Sequence, residues 1–344
     1  MRIGILTGGG DAPGLNAAIR AVGRPAVGAG HTVLGIRNGW AGLIGEGDYE
    51  ELNRRSLSGI LQIGGTILGS SRTNPMKLEG GRERVMANIA RAQLDALVAI
   101  GGDDTLSVAA WLADHGVPVT GVPKTMDNDL SVTEYCIGFD TAVSIVTEAV
   151  DRLHTTAMSH HRVMVVEVMG RDTGWVAIMG GLAGGADMIV IPEFPVSIDE
   201  VVEHLHQRRA GGSDFSIIVV SEGVEMEGMG RKEDAEGQRD AFGHVQLSRR
   251  GVGERLAALI EQRTGFETRA SVLGHTQRGG TPTAYDRIWA THVGYGAWGL
   301  IQKGDFGRMP VVRCGGVDVA PIRDVVAQQR RVPRELYDLA TVFY

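Results

Sequence analysis

The sequence predicts an α/β fold of two Rossmann-like, doubly wound domains with mostly parallel sheets and a binding site in the cleft between them. Three observations lead there. Short β-branched runs alternate with amphipathic stretches. Clusters of glycine follow the runs. The chain's 344 residues exceed what one hydrophobic core ordinarily organises. Strands alternating with helices make βαβ units, whose parallel sheets are covered on both faces.

The runs at 2–7, 32–37, 96–100, 117–122, 163–169, 188–191 and 216–221 read as strands. The stretches at 15–26, 82–92, 141–158 and 201–209 have the spacing of amphipathic helices. This many units divide more readily between two sheets than one. Segment 225–250, EMEGMGRKEDAEGQRDAFGHVQLSRR, interrupts the alternation with polar residues and glycine and reads as an inserted surface excursion. In doubly wound sheets ligands bind at the carboxyl ends of the strands, so the loops there carry the functional reading.

Composition narrows the function. A net charge of −7 argues against a general nucleic-acid or membrane binder, while leaving room for a local basic pocket. Cys136 and Cys314 form neither a metal-binding spacing nor a disulfide framework, so reduced thiols are expected. The opening MRIGILTGGG lacks the apolar stretch of a secretory signal, and no run is long enough to cross a bilayer. A cytoplasmic location is the expectation.

Three loops carry chemistry. Gly8-Gly9-Gly10-Asp11-Ala12-Pro13-Gly14 follows the first strand and precedes a helix, an arrangement that lets backbone N–H groups face an anion. Tight βα turns also use glycine for steric reasons alone. Gly101-Gly102-Asp103-Asp104-Thr105 places a carboxylate where a Mg²⁺ ion bridging phosphate oxygens would need one; a helix N-cap is the structural alternative. Pro123-Lys124-Thr125-Met126-Asp127-Asn128-Asp129 sets two carboxylates two residues apart beside a lysine and a hydroxyl. That is an acid–base and phosphate-handling cluster, or else an Asx-rich turn.

GGGDAPGLNAAIR, GGDDT, PKTMDND, MGRDTG, SEG and LGHTQRGG occur in the order and spacing of the 6-phosphofructokinase family, which the chain resembles over nearly its whole length outside 225–250. The resemblance implies transfer of a phosphoryl group to the 1-hydroxyl of fructose 6-phosphate. It implies that Gly10, Arg72 and Thr105 line the donor phosphates and that Asp103 holds Mg²⁺. Asp127 is then the base, Asp129 and Thr125 orient the acceptor and the moving group, and Arg171 joins them in catalysis. Met169, Gly170 and Glu222 form the sugar pocket, which His275 and Arg278 complete. Arg162 and Arg269 match arginines that reach the sugar 6-phosphate from a neighbouring subunit, which implies a homodimer or homotetramer. The domains expected are 1–138 with about 276–325 for the donor, and 139–275 with about 326–344 for the sugar phosphate.

Positions 104 and 124 bear on the donor. The ATP-dependent branch usually carries glycine at both, whereas Asp104 and Lys124 follow the pyrophosphate-dependent pattern. A carboxylate at 104 takes up space beside a nucleotide α-phosphate and repels it, by about 4 kcal/mol at roughly 4 Å and an effective dielectric near 20. Lys124 would face the compact charge of pyrophosphate, unless it pairs with Asp104. Pyrophosphate is the expected donor, with ATP the alternative. Of the relatives' effector-binding set, Arg20, Arg24 and Arg54 are present, but His154 replaces an arginine and GGSDF at 211–215 lacks basic residues, so hyperbolic kinetics are expected. A non-catalytic sugar-phosphate sensor has no need of the intact Asp103, Asp127 and Asp129. A Rossmann dehydrogenase fits poorly, since the first loop is GGGDAPG rather than GxGxxG.

Overall fold

The computed structural model describes residues 1–226 and 251–344. The excursion expected at 225–250 therefore lies, apart from Glu225 and Met226, outside the described residues. Two compact units are present. Met1–Thr141 with Arg278–Arg330 form one, and Ala142–Gln277 with Arg331–Tyr344 the other. The last crossing falls after Arg330, whose backbone N–H donates to the carbonyl of Asp129 at 2.8 Å.

Unit one begins with β1 (Arg2–Thr7), α1 (Leu15–Gly28), β2 (Thr32–Ile36), α2 (Ala41–Ile44) and β3 (Tyr49–Leu52). It continues with α3 (Gly81–Arg91), β4 (Ala96–Gly101), α4 (Asp103–Asp114) and β5 (Val119–Pro123). The sheet order is β3-β2-β1-β4-β5, parallel throughout except that β3 runs antiparallel to β2. β4 and β5 are buried along their whole length, as apolar strands covered on both faces must be. Chain order reverses between β1 and β4. The crevice outside that pair is where a ligand of such a sheet sits, and the first two glycine-rich loops emerge there.

α5 (Phe139–His160) carries the chain into unit two, where β6 (Val163–Val168), α6 (Trp175–Gly184), β7 (Met188–Val190), α7 (Ile198–Ala210), β8 (Ser216–Ser221), α8 (Val252–Thr264) and β9 (Thr268–Val272) follow. Its sheet, β7-β8-β6-β9, is wholly parallel. Ser197 caps α7 by accepting from the N–H of Glu200, while Glu200 returns a bond to the cap. The buried Glu167 of β6 accepts from Gly253 N–H at 2.7 Å, so an acid in the sheet satisfies the amino end of α8.

The chain then re-enters unit one with α9 (Ala284–Lys303), the antiparallel ribbon β10 (Arg308–Arg313) and β11 (Gly316–Pro321), and α10 (Ile322–Val325). α11 (Arg334–Thr341) belongs to unit two. α9 lies directly on α1, because Gly294 has no side chain. A Cβ there would stand 2.8 Å from Ala21 Cβ and 2.9 Å from the carbonyl oxygen of Ala18. No helix among the described residues is long and apolar enough to cross a membrane.

Candidate active site

In unit one the loops after β1 and β4 are locked together. Gly8 N–H donates to Ile100 O at 2.9 Å. Thr105, buried, fills the space that side chains at two glycines would need: a Cβ at Gly8 would lie 2.5 Å from Thr105 Oγ1, and one at Gly101 2.4 Å from its Cβ. A third loop, 70–74, is laced to both. Ser70 Oγ donates to Gly9 O at 2.5 Å, Gly9 N–H donates to Ser71 O at 3.1 Å, and Asn74 Nδ2 donates to Asp104 Oδ1 at 3.2 Å. Arg72 is thereby held beside the first loop. The N-cap of α4 is Gly102, with no side-chain capping bond; Asp103 and Asp104 occupy the first turn. The sequence left a capping role open for these acids, and they do not perform it. There they complement the helix dipole.

Lys124 is the most constrained charge of the site. It is 3% exposed. Its Nζ donates to Gly8 O at 3.1 Å and Gly10 O at 2.5 Å, so the ammonium rests on the first loop's carbonyls instead of on Asp104. Burial is the main cause that lowers its pKa to about 8, and the Arg278 guanidinium adds to the effect against the opposing pull of Asp11, Asp127 and Asp103. Arg278, which the resemblance assigns to the sugar pocket, lies against the first glycine loop. A Cβ at Gly10 would meet its Nη1 at 2.6 Å, and that nitrogen donates to Asp11 O at 3.1 Å. Two cations thus crowd one glycine loop, an arrangement that a small polyanion relieves.

The turn 125–129 holds the acids. Asn128 sits in the left-handed region at φ 51 and ties the turn down: Oδ1 accepts from Cys136 N–H at 2.9 Å, and Nδ2 donates to Glu134 O at 3.2 Å. Thr125 Oγ1 accepts from Asp127 N–H at 3.2 Å and donates to Asp129 Oδ1 at 3.3 Å. Asp127 Oδ1 is buried with no hydrogen-bond partner. Burial first, and the Asp127 and Asp103 carboxylates next, push Asp129 up to about 7. Asp103, Asp127, Asp129, Lys124 and Arg278 are thus near enough to perturb one another. Among the described residues no group of three His, Cys, Asp or Glu side chains has metal-ligand geometry.

In unit two the loops after β6 and β8 meet in the same way. Gly170 adopts φ 137, which a side chain would strain, and its carbonyl accepts from Ser221 Oγ at 2.5 Å and Gly223 N–H at 3.0 Å. Met169, Gly170, Arg171 and Glu222 are therefore brought together. Buried Arg171 Nε has no hydrogen-bond partner. His275 is exposed on the 3₁₀ turn Gly274–Arg278. Arg162 and Arg269 are not with this group. They stand at the amino ends of β6 and β9, about 20 Å from the Gly170 loop at the ordinary rise of six strand residues.

The model of the family described as phosphofructokinase matches residues 2–301. The chain belongs to the phosphofructokinase family. It is 54% identical to an Amycolatopsis methanolica protein named pyrophosphate–fructose 6-phosphate 1-phosphotransferase, over all of both chains. It is 47% identical to ATP-dependent 6-phosphofructokinase 3 of Streptomyces coelicolor, over 98% of each. Among solved structures, the pyrophosphate-dependent phosphofructokinase of Marinobacter aquaeolei aligns with a TM-score of 0.82 at 26% identity, covering 97% of this chain and 86% of that one.

Within this family fold, three supporting residues escaped the sequence reading. Gln277 of LGHTQRGG is fully buried; its Oε1 accepts from Met169 N–H at 3.3 Å and its Nε2 donates to Gly274 O at 3.1 Å. Asp286, at the start of α9, accepts from Tyr135 Oη, Gly138 N–H, and the N–H and Oγ1 of Thr141. It fixes the chain just beyond the acid-bearing turn. Asn74 orients Asp104. Gln277 stood inside a quoted motif and could have been found there; the other two are joined to the site by contacts across 30 or more residues.

Proposed function

We propose that this enzyme transfers a phosphoryl group reversibly from pyrophosphate to the 1-hydroxyl of fructose 6-phosphate, giving fructose 1,6-bisphosphate and phosphate. One observation carries the choice of donor. Lys124 is buried on the carbonyls of Gly8 and Gly10 beside Arg278, a concentration of positive charge that a compact diphosphate neutralises. Identity of 54% to a pyrophosphate-named relative, against 47% to an ATP-named one, supports the same reading.

Each residue then has a task. Gly10, Arg72, Thr105, Lys124 and Arg278 hold the donor phosphates, and Asp104 takes up room beside them. Asp127 accepts the proton of the sugar hydroxyl through Oδ1, which no protein donor occupies. Asp129 and Thr125 orient the acceptor and the transferring group, with Arg171 stabilising its charge. Met169, Gly170, Glu222 and His275 hold the sugar. The excess of carboxylate charge around Asp103, Asp127 and Asp129 suits a hard divalent cation such as Mg²⁺, which Asp103 would hold. When bound, the ion neutralises charge on the phosphates. Arg162 and Arg269, remote from the Gly170 loop of their own chain, serve the 6-phosphate of a neighbouring copy, so the working form is a cytoplasmic homodimer or homotetramer.

A coupled assay on fructose 6-phosphate tests this directly. Pyrophosphate should give a far higher kcat/KM than ATP, and Asp104→Gly should raise the ATP rate. A preference of the wild-type enzyme for ATP would reject the assignment of donor.

A further inference from the structure

Arg162 and Arg269 of unit two meet on one acid. Oε1 of Glu267 accepts from Arg162 Nη2 at 2.7 Å and also from Arg269 Nη2 at 2.7 Å. Strand register explains the meeting. β6 and β9 run parallel with Val163 opposite Thr268, which sets Arg162 across from Glu267 and Arg269 two residues further on. Arg269 Nη1 also donates to Thr268 O at 2.8 Å and lies 3.7 Å from Glu261 Oε1. Arg162 Nε is buried with no hydrogen-bond partner. One oxygen thus serves two guanidiniums, and donor capacity is left over.

We infer that Glu267 is a specificity-determining residue for the sugar phosphate: its carboxylate occupies the two arginines that read the 6-phosphate and must yield its place when that phosphate binds. The inference rests on the assignment of Arg162 and Arg269 to the 6-phosphate. A carboxylate and a phosphate present similar oxygen edges to a guanidinium fork, so one substitutes for the other. A phosphate has three oxygens to offer, enough for both forks and for the idle Arg162 Nε. The side chains of the triad are 29%, 41% and 50% exposed, in the order Arg162, Glu267, Arg269. Solvent-exposed pairs of this kind are weak, so a dianion can displace the carboxylate. Glu267 stays tethered nearby once displaced and continues to repel the phosphate. It therefore sets a charge threshold that a dianionic ester passes and a weaker anion does not.

Glu267→Gln keeps length and an acceptor oxygen while removing the charge. Loss of one like charge about 4 Å from the phosphate in a water-exposed setting predicts a KM for fructose 6-phosphate lower by about fivefold. The KM for pyrophosphate and kcat should stay within about twofold, and the gain should shrink in high salt. An unchanged or raised KM for fructose 6-phosphate overturns the inference, the rise being what a residue that merely holds the arginines in place would give. Arg162→Ala is measured alongside. A KM for fructose 6-phosphate that does not rise there removes the assignment of the arginines itself, so the two failures are told apart.

Discussion

Two carboxylates in unit one, Asp286 fully buried and Asp127 half-buried, lead opposite lives. Asp286, at the head of α9, accepts four hydrogen bonds from Tyr135, Gly138 and Thr141. Asp127, in the 125–129 turn, has one oxygen buried without a donor. A buried acid is tolerated when donors compensate its desolvation. Asp286 meets that condition within the fold. Asp127 Oδ1 lacks such a donor, and in the proposed role a substrate hydroxyl supplies it. The difference separates an acid whose bonds are closed within the fold from an acid with an oxygen left open, although both sit in the same unit.

Substitution breaks the comparison most sharply at Asp127. Asp127→Ser should lower kcat by about 10²–10⁴-fold while the melting temperature stays near that of the parent. A near-normal kcat would remove Asp127 from its role. Asp286→Ala should do the reverse. It strands several buried donors at a cost of about 3 kcal/mol or more, so the melting temperature should fall by at least about 5 °C, read by calorimetry. An unchanged transition would show that the knot around α9 carries no stability.

A smaller effect sharpens the contrast through pH. Burial lowers Lys124 from 10.5 to about 8, so the folded chain sheds that proton more readily than the unfolded one. Its contribution to stability is present above the unfolded value of 10.5 and is lost as pH falls through about 8. In the proposed role pyrophosphate binds the charged form of Lys124. Its KM should therefore rise by about fivefold between pH 8 and pH 9, and the slope should vanish in Lys124→Met. A flat profile in the parent enzyme would place the decisive charge elsewhere.

Much of the fold could be read from local pattern. β1, β4, β6 and β8 are apolar runs buried along nearly all of their length, and such runs announce themselves. β3 and β9 do not. β3 reads YEEL and β9 reads TRASV, each at a sheet edge and mostly unburied, so neither has the apolar density of a central strand. The ribbon β10–β11 is antiparallel and follows a long helix, outside the βαβ rhythm. Glycine-rich loops were legible because each directly follows its strand. The aim of Arg278 and the clasp of Glu267 were not, since both depend on which distant backbone lies opposite.

Thr105 has a consequence of its own. Neighbouring loops on a parallel sheet ordinarily tolerate independent drift, as each is fastened to a different strand. Here a single β-branched side chain fills the space over Gly8 and Gly101 alike. The two loops are consequently spaced by one stiff side chain, and a side chain at either glycine would collide with it. The spacing of the two glycine loops is thus held by an uncharged residue.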